Sequence, residues 1–217
     1  VQSQLHAAIP AGLKVIETMR AEPDGKVRLW PLHLARLGRD CAAVGFPLEP
    51  EKVEAAMARL PGGEALRVRL TVVATGEVAV THAPLPANPA FWRLSLSPIR
   101  LHSTDPWLRV KTSHRPAYDA ARAALPEGSD EAMLMNERGE VCEGTISNLF
   151  LEDEGRLLTP PLACGLLPGV LREWLIASGR AQERLLYPQD LEGRQILCGN
   201  ALRGLIPGRL ADGRTGS

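Results

Sequence analysis

Two residues with chemistry in their side chains stand out. Lys111 closes the alternating run Trp107-Leu108-Arg109-Val110-Lys111, and Glu143 opens the polar end of Cys142-Glu143-Gly144-Thr145-Ile146-Ser147-Asn148-Leu149-Phe150. A lysine at the end of a short strand can hold a carbonyl compound as a Schiff base, provided burial or nearby cations keep its amine neutral. Alternation places Trp107, Arg109 and Lys111 on one side of that strand. Glu143 falls in an apolar interior strand, where an ionised carboxylate is costly without a cationic partner. A protonated pyridine nitrogen is such a partner. Taken alone, each residue also has an ordinary reading as a solvated strand-end charge.

The lysine–glutamate pairing suggests pyridoxal phosphate, and other segments suit a phosphate. In Leu166-Leu167-Pro168-Gly169-Val170-Leu171 a proline and a glycine precede a helix. The first-turn amides of Gly169, Val170 and Leu171 then lack helical acceptors and sit at the positive pole of the dipole. Arg36 follows His33 by three residues on one helix face, where its guanidinium can fork onto a phosphate or simply meet solvent. Near the end, Ile196-Leu197-Cys198-Gly199-Asn200-Ala201 carries a buried strand into a glycine and an amide that can meet phosphate or cap a turn. Arg67 and Arg69 alternate onto one strand face. They suit a carboxylate substrate if they face a cavity, and solvent if they do not.

These residues need elements to hold them. Val15–Arg20 reads as a strand, Glu22–Gly25 as a turn and Lys26–Trp30 as the returning strand of a hairpin. Pro31 suits a helix start, and Leu34, Leu37, Cys41 and Val44 keep helical spacing up to Gly45. A second helix starts near Pro50 and stops at Pro61-Gly62-Gly63. Strands follow over Arg67–Ala74 and Val78–His82. Three prolines fall between Pro84 and Pro89 and mark a connector. Beyond it strands dominate: Trp92–Leu96, Leu108–Lys111, Ala132–Asn136, Val141–Gly144, Ser147–Leu151 and Arg156–Leu158. Helices interrupt them at Pro116–Ala124 and Gly169–Ser178. The chain is thus a mixed α/β (α+β) protein, with a small α/β domain over 1–84, a linker over 85–90 and a larger strand-rich domain over 91–217.

Composition narrows the function classes. The 217 residues carry 25 basic and 25 acidic side chains, interspersed, so nothing favours nucleic acid or an acidic membrane surface. No apolar run approaches the ~20 residues of a membrane span. Val1–Pro10 lacks the pattern of a secretion signal. Cys41, Cys142, Cys164 and Cys198 have neither metal-ligand nor redox spacing and read as isolated thiols of a cytoplasmic protein, with no metal site.

The order of the motifs carries a resemblance. His33-Leu34-Ala35-Arg36-Leu37, then Lys111, Glu143-Gly144-Thr145-Ile146-Ser147-Asn148-Leu149-Phe150, Leu158-Thr159-Pro160-Pro161, Leu167-Pro168-Gly169-Val170-Leu171-Arg172 and Cys198-Gly199-Asn200-Ala201-Leu202 together resemble the class IV (fold type IV) pyridoxal-phosphate enzymes. That family includes branched-chain and D-amino-acid aminotransferases and aminodeoxychorismate lyases. The resemblance runs from Leu13 to Pro207. It implies two domains with the cofactor at their interface and Lys111 near the start of the larger one.

It also implies roles by position. Lys111 is the Schiff-base lysine and proton shuttle, Glu143 the partner of the ring nitrogen, and Arg36 the phosphate arginine. Gly169, Val170 and Leu171 lie under the phosphate, with Gly199 and Asn200 nearby, and Leu167 packs on the ring. Thr18, Arg67, Arg69 and Ala201 fall on the substrate side. A small amino or carboxylate substrate and a homodimer are further implications. Three departures stand out: little precedes Leu13, the chain ends in a polar tail, and Pro116 takes the place of a tyrosine that meets the ring oxygen in branched-chain enzymes. The nearest tyrosine is Tyr118. Asn200-Ala201-Leu202 and the missing tyrosine favour a lyase releasing pyruvate and 4-aminobenzoate from 4-amino-4-deoxychorismate. The alternatives are an aminotransferase with an α-keto acid acceptor and a cofactor-binding protein without turnover.

Overall fold

The computed structural model describes Leu5 and residues 9–211. The rest of the opening stretch and the end of the polar tail, 212–217, lie outside the described residues. By its contacts the chain divides into two compact units, Val1–Ala87 with Pro106–Arg115, and Asn88–Asp105 with Pro116–Ser217. No helix among the described residues is long and apolar enough to cross a membrane.

The first unit is an antiparallel sheet of β1 (Val15–Ala21), β2 (Leu66–Val72) and β3 (Val78–Pro84), in that order. Two helices accompany it, α1 (Trp30–Val44) and α2 (Pro50–Met57). Alternation on β2 is strict: Leu66, Val68, Leu70 and Val72 are buried while Arg67 and Arg69 are exposed. Val15, Met19 and Ala21 of β1 join that core with Leu37, Cys41 and Val44 of α1. The hairpin strand expected over Lys26–Trp30 does not form. Val27 makes an isolated bridge to Ala21, and the chain enters α1 at Trp30, with Pro31 in its first turn. Leu29 turns the corner in the left-handed region, φ 57°, which shortens the returning strand to that bridge.

The strand expected over Trp107–Lys111 is also absent. Pro106–Arg109 forms one 3-10 turn instead. A five-residue alternation suits either state, and Pro106 supplies the φ of a helical start. Leu108 and Val110 are still buried. The segment then lies against β1: Ile16 N–H donates to the Lys111 carbonyl at 2.8 Å, and Thr112 bridges Val15. These bonds draw Lys111 into the first unit, not the start of the second. The proline-rich connector is likewise partly structured, because β3 runs to Pro84 and Leu85 N–H reaches the Ala65 carbonyl.

The second unit is an eight-stranded sheet in the order β10-β11-β4-β5-β6-β7-β8-β9, and β10 also pairs with β7. Its strands are β4 (Trp92–Leu101), β5 (Glu131–Asn136), β6 (Val141–Gly144), β7 (Asn148–Asp153), β8 (Arg156–Thr159), β9 (Ala181–Glu183), β10 (Ile196–Asn200) and β11 (Gly204–Leu210). The β7–β10 ladder closes a barrel-like ring, with Leu94, Met133, Leu149 and Ile206 in its core. Two helices complete the unit, α3 (Pro116–Ala123) and α4 (Val170–Ala177). Gly199 of β10 has no room for a side chain. A Cβ there would meet Leu205, Phe150 and Leu171, so α4's first turn packs directly on the strand.

Candidate active site

A buried carboxylate organises the second unit. Met133 pairs with Gly144 and Met135 with Val141, so three residues of β5 face four of β6. This bulge changes the alternation, and Glu143 shares a face with its partner Asn148 and not with core residue Val141. Three elements supply donors to Glu143. Tyr118 of α3 donates its hydroxyl to Oε1 at 2.5 Å, the Leu167 N–H reaches Oε1 at 2.9 Å, and Asn148 donates to Oε2 at 3.1 Å. Asn148 Nδ2 also donates to the Leu167 carbonyl at 3.0 Å.

A second buried carboxylate shapes the turn between β6 and β7. Glu131 accepts the N–H groups of Thr145 and Ile146 and the hydroxyls of Thr145 and Ser147. Gly144 is pressed against it: a Cβ there would come 2.8 Å from the Glu131 carboxylate. The turn therefore returns the chain with Asn148 opposite Glu143.

Leu167 leads into α4, whose N-cap is Gly169. No side chain caps this helix, so geometry leaves its first amides, those of Val170 and Leu171 among them, without intrahelical acceptors. A Cβ on Gly169 would land on Asn148 Oδ1, so this position requires glycine for space. The carboxylate contact and the helix start thus lie three residues apart, on the order of 10 Å of chain at most.

Asn200 is committed within its own unit. Its Nδ2 donates to the Ile146 carbonyl at 3.1 Å, and its Oδ1 accepts the Arg203 N–H at 2.8 Å. The side chain expected near a phosphate therefore ties the turn after β10 to the Thr145–Ser147 turn. Ala201 is half-buried in the turn that Asn200 caps.

In the first unit, Arg36 and His33 do project together, and they converge on Glu17. Arg36 Nε donates to Oε1 at 2.7 Å and Nη2 to Oε2 at 2.6 Å, while His33 Nδ1 lies 2.7 Å from Oε2. The arginine fork read for a phosphate closes on this carboxylate. Burial alone would raise the Glu17 carboxyl, but the Arg36 charge and the hydrogen bonds from His33 and Arg36 outweigh it and hold it at about 2. One α-helical turn past Arg36, Asp40 Oδ2 accepts the Lys111 backbone N–H at 2.8 Å. Burial pushes the Asp40 carboxyl up to about 6, against the lowering effects of that N–H and of Arg36. Lys111 itself is half-buried.

Thr18 lies opposite Arg69, and Arg20 opposite Arg67, on the face of the sheet turned from the core. Sequence reasoning named Tyr118 but gave it no partner. It assigned no role to Glu17, Asp40, Asn148 or Glu131. The available signal was placement: Glu17 takes a core-facing position of β1, and Asp40 falls beside the apolar stripe of α1.

The chain as a whole is similar to known proteins. The profile described as amino-transferase class IV matches residues 14–211. Three similar proteins carry provisional names. One of Thermotoga maritima, named as a branched-chain-amino-acid aminotransferase, is 29% identical over 90% of this chain and 76% of its own. One of Schizosaccharomyces pombe, named as an aminodeoxychorismate lyase, is 29% identical over 86% of each chain. A crystal structure from Mesorhizobium loti, titled as an amino-acid aminotransferase, is 40% identical over 92% of this chain and 100% of its own, with a TM-score of 0.85.

Two outcomes follow. Gly169→Ala should displace Asn148 and cost about 1–3 kcal/mol in urea unfolding. In an Asn148→Ala background the same change should cost clearly less, because the colliding amide is gone. Glu17, with its folded pKa below the ordinary 4.5, contributes stability above pH 4.5 that is lost as pH falls towards 2. Urea titrations should show a loss of roughly 3 kcal/mol across that window. Glu17→Gln should be less stable at pH 7 and lack this acid-side loss.

Proposed function

For a chain that belongs to the amino-transferase class IV family, and so is an enzyme, we propose pyridoxal 5'-phosphate as the cofactor and 4-amino-4-deoxychorismate as the substrate. The observation that carries the cofactor is the short path in the second unit from Glu143 to the uncapped start of α4. It puts a carboxylate suited to a cationic ring nitrogen and a helix terminus suited to a phosphate within three residues of chain. The group, when bound, supplies an electron sink for negative charge developing beside a substrate's amine nitrogen.

The chain's own residues do the remaining work. Lys111 would hold the cofactor covalently through its Nζ and, once freed by a substrate's amine, would take the proton from the carbon bearing that amine and relay it onward. Glu143 would keep a proton on the ring nitrogen, and the donors from Tyr118, Asn148 and Leu167 fix the orientation of its carboxylate. The amides of Gly169, Val170 and Leu171 would receive the phosphate, and Leu167 would lie against the ring. The exposed Arg67 and Arg69, with Thr18 on the neighbouring strand, suit a substrate's carboxylates. The working form is a homodimer.

Asn200-Ala201-Leu202 and Pro116 in the place of a ring-oxygen tyrosine support the lyase reading, which releases pyruvate and 4-aminobenzoate. A second reading, transfer of the amino group to an α-keto acid, is supported by the name of the Thermotoga maritima relative.

The purified protein given pyridoxal phosphate should show an absorbance that amine substrates shift. Borohydride should then fix the label on the peptide containing Lys111, and Lys111→Ala should lose it. A label elsewhere in the wild type overturns the cofactor assignment. Bound cofactor that no candidate amine disturbs leaves a binder without turnover. Pyruvate should form from aminodeoxychorismate, with glutamate formation from 2-oxoglutarate at least tenfold slower, a barrier difference of ~1.4 kcal/mol. Glutamate without pyruvate would reject the lyase in favour of the aminotransferase.

A further inference from the structure

The peptide group of Lys111 is held at both ends. Its carbonyl accepts the Ile16 N–H at 2.8 Å, and its own N–H donates to Asp40 Oδ2 at 2.8 Å. Ser113, two residues on, is tied to the residue that precedes the same strand: Ser113 N–H donates to the Lys14 carbonyl, and Lys14 N–H donates to the Ser113 hydroxyl. Of these partners only Asp40 brings a carboxyl group. It lies on α1 and is 3% exposed. A short helix residue that ends in a carboxylate is a costly way to cap one amide unless that amide must be held firmly.

We propose that Asp40 is the positioning residue of Lys111, fixing the backbone from which the lysine amine projects. The inference rests on the reading of Lys111 as the amine that takes the cofactor. Arg36, Arg39 and Cys41 of α1, Glu17 of β1 and the Lys111 N–H are the charged, titratable and donor groups that bear on this carboxyl. Because burial raises it to about 6, it is largely neutral at pH 5 and largely ionised at pH 7.5. The bond to Lys111 is therefore charge-assisted only at the higher pH, where such bonds are roughly twice as strong.

Amide hydrogen exchange tests this without reference to activity. In the full-length protein, the protection of the Lys111 amide, normalised to Val68 and Leu70 in β2, should rise about threefold or more from pH 5 to pH 7.5. Asp40→Asn keeps an acceptor oxygen and should retain protection but lose its pH dependence. Asp40→Ala should lose protection about tenfold, the worth of one hydrogen bond. With pyridoxal phosphate added, borohydride labelling of Lys111 should slow about tenfold in Asp40→Ala and recover in Asp40→Asn. Unchanged Lys111 protection in Asp40→Ala overturns the proposal, as does an unchanged labelling rate. If Asp40→Ala does not fold, a pH dependence that persists in Asp40→Asn overturns it. A wild type that is never labelled at Lys111 overturns the cofactor reading and this role with it, while exchange still reports whether the clamp exists.

Discussion

A carboxylate removed from water must be given donors, and the chain that supplies them is constrained from several directions at once. Glu17, Asp40, Glu131 and Glu143 are all buried, and each gathers partners from elements distant in sequence. Glu17 of β1 draws two side chains of α1. Asp40 of α1 takes the peptide N–H of Lys111. Glu131 of β5 collects the turn after β6, and Glu143 of β6 collects α3, β7 and the approach to α4. Apolar packing gives each unit its core. These carboxylates decide which polar groups stand where around it.

The first unit shows how the constraint propagates. Glu17 faces the core because it shares the parity of Val15, Met19 and Ala21, so α1 must offer it a cation there. Arg36 and His33 do so, and the helical repeat that presents them carries Asp40 one turn further on. Asp40 then meets the segment that Ile16 and Val15 have drawn against β1. The backbone of Lys111 is thus located by a strand and a helix, and no regular secondary structure of its own is needed.

How much of this the sequence displayed depended on the range of the interaction. The two-residue alternation of β2 and the spacing of α1 are local and were legible, as was the start of α4 from Pro168 and Gly169. The motif around Glu143 was legible as a buried carboxylate in an apolar strand. The Trp107–Lys111 run was misread because Leu108, in the 3-10 turn, and Val110, just after it, are buried as they would be in a strand. The hairpin at Lys26–Trp30 failed because a left-handed Leu29 starts α1 early, and no residue type announces φ 57° at a leucine. Tyr118 on Glu143 and Asp40 on Lys111 join residues 25 and 71 positions apart, which periodicity cannot see.

The motif Glu143-Gly144-Thr145-Ile146-Ser147-Asn148 can be read letter by letter as the solution to one geometric problem. Glu143 must face away from the barrel core, which the bulge in β6 arranges. The chain must then reverse at once, so that a donor arrives opposite the carboxylate. Glu131 drives the reversal by taking the Thr145 and Ser147 hydroxyls with the amides of Thr145 and Ile146. Only glycine fits between that carboxylate and the strand, which accounts for Gly144. Asn148 then lands opposite Glu143 and has a second amide proton for the Leu167 carbonyl, so the same side chain sets the path into α4. A glutamine in its place would be a methylene too long for both contacts, and an aspartate would bring a second negative charge to a carboxylate that needs donors. One amide therefore couples the orientation of Glu143, which Tyr118 and Leu167 also hold, to the position of the helix start.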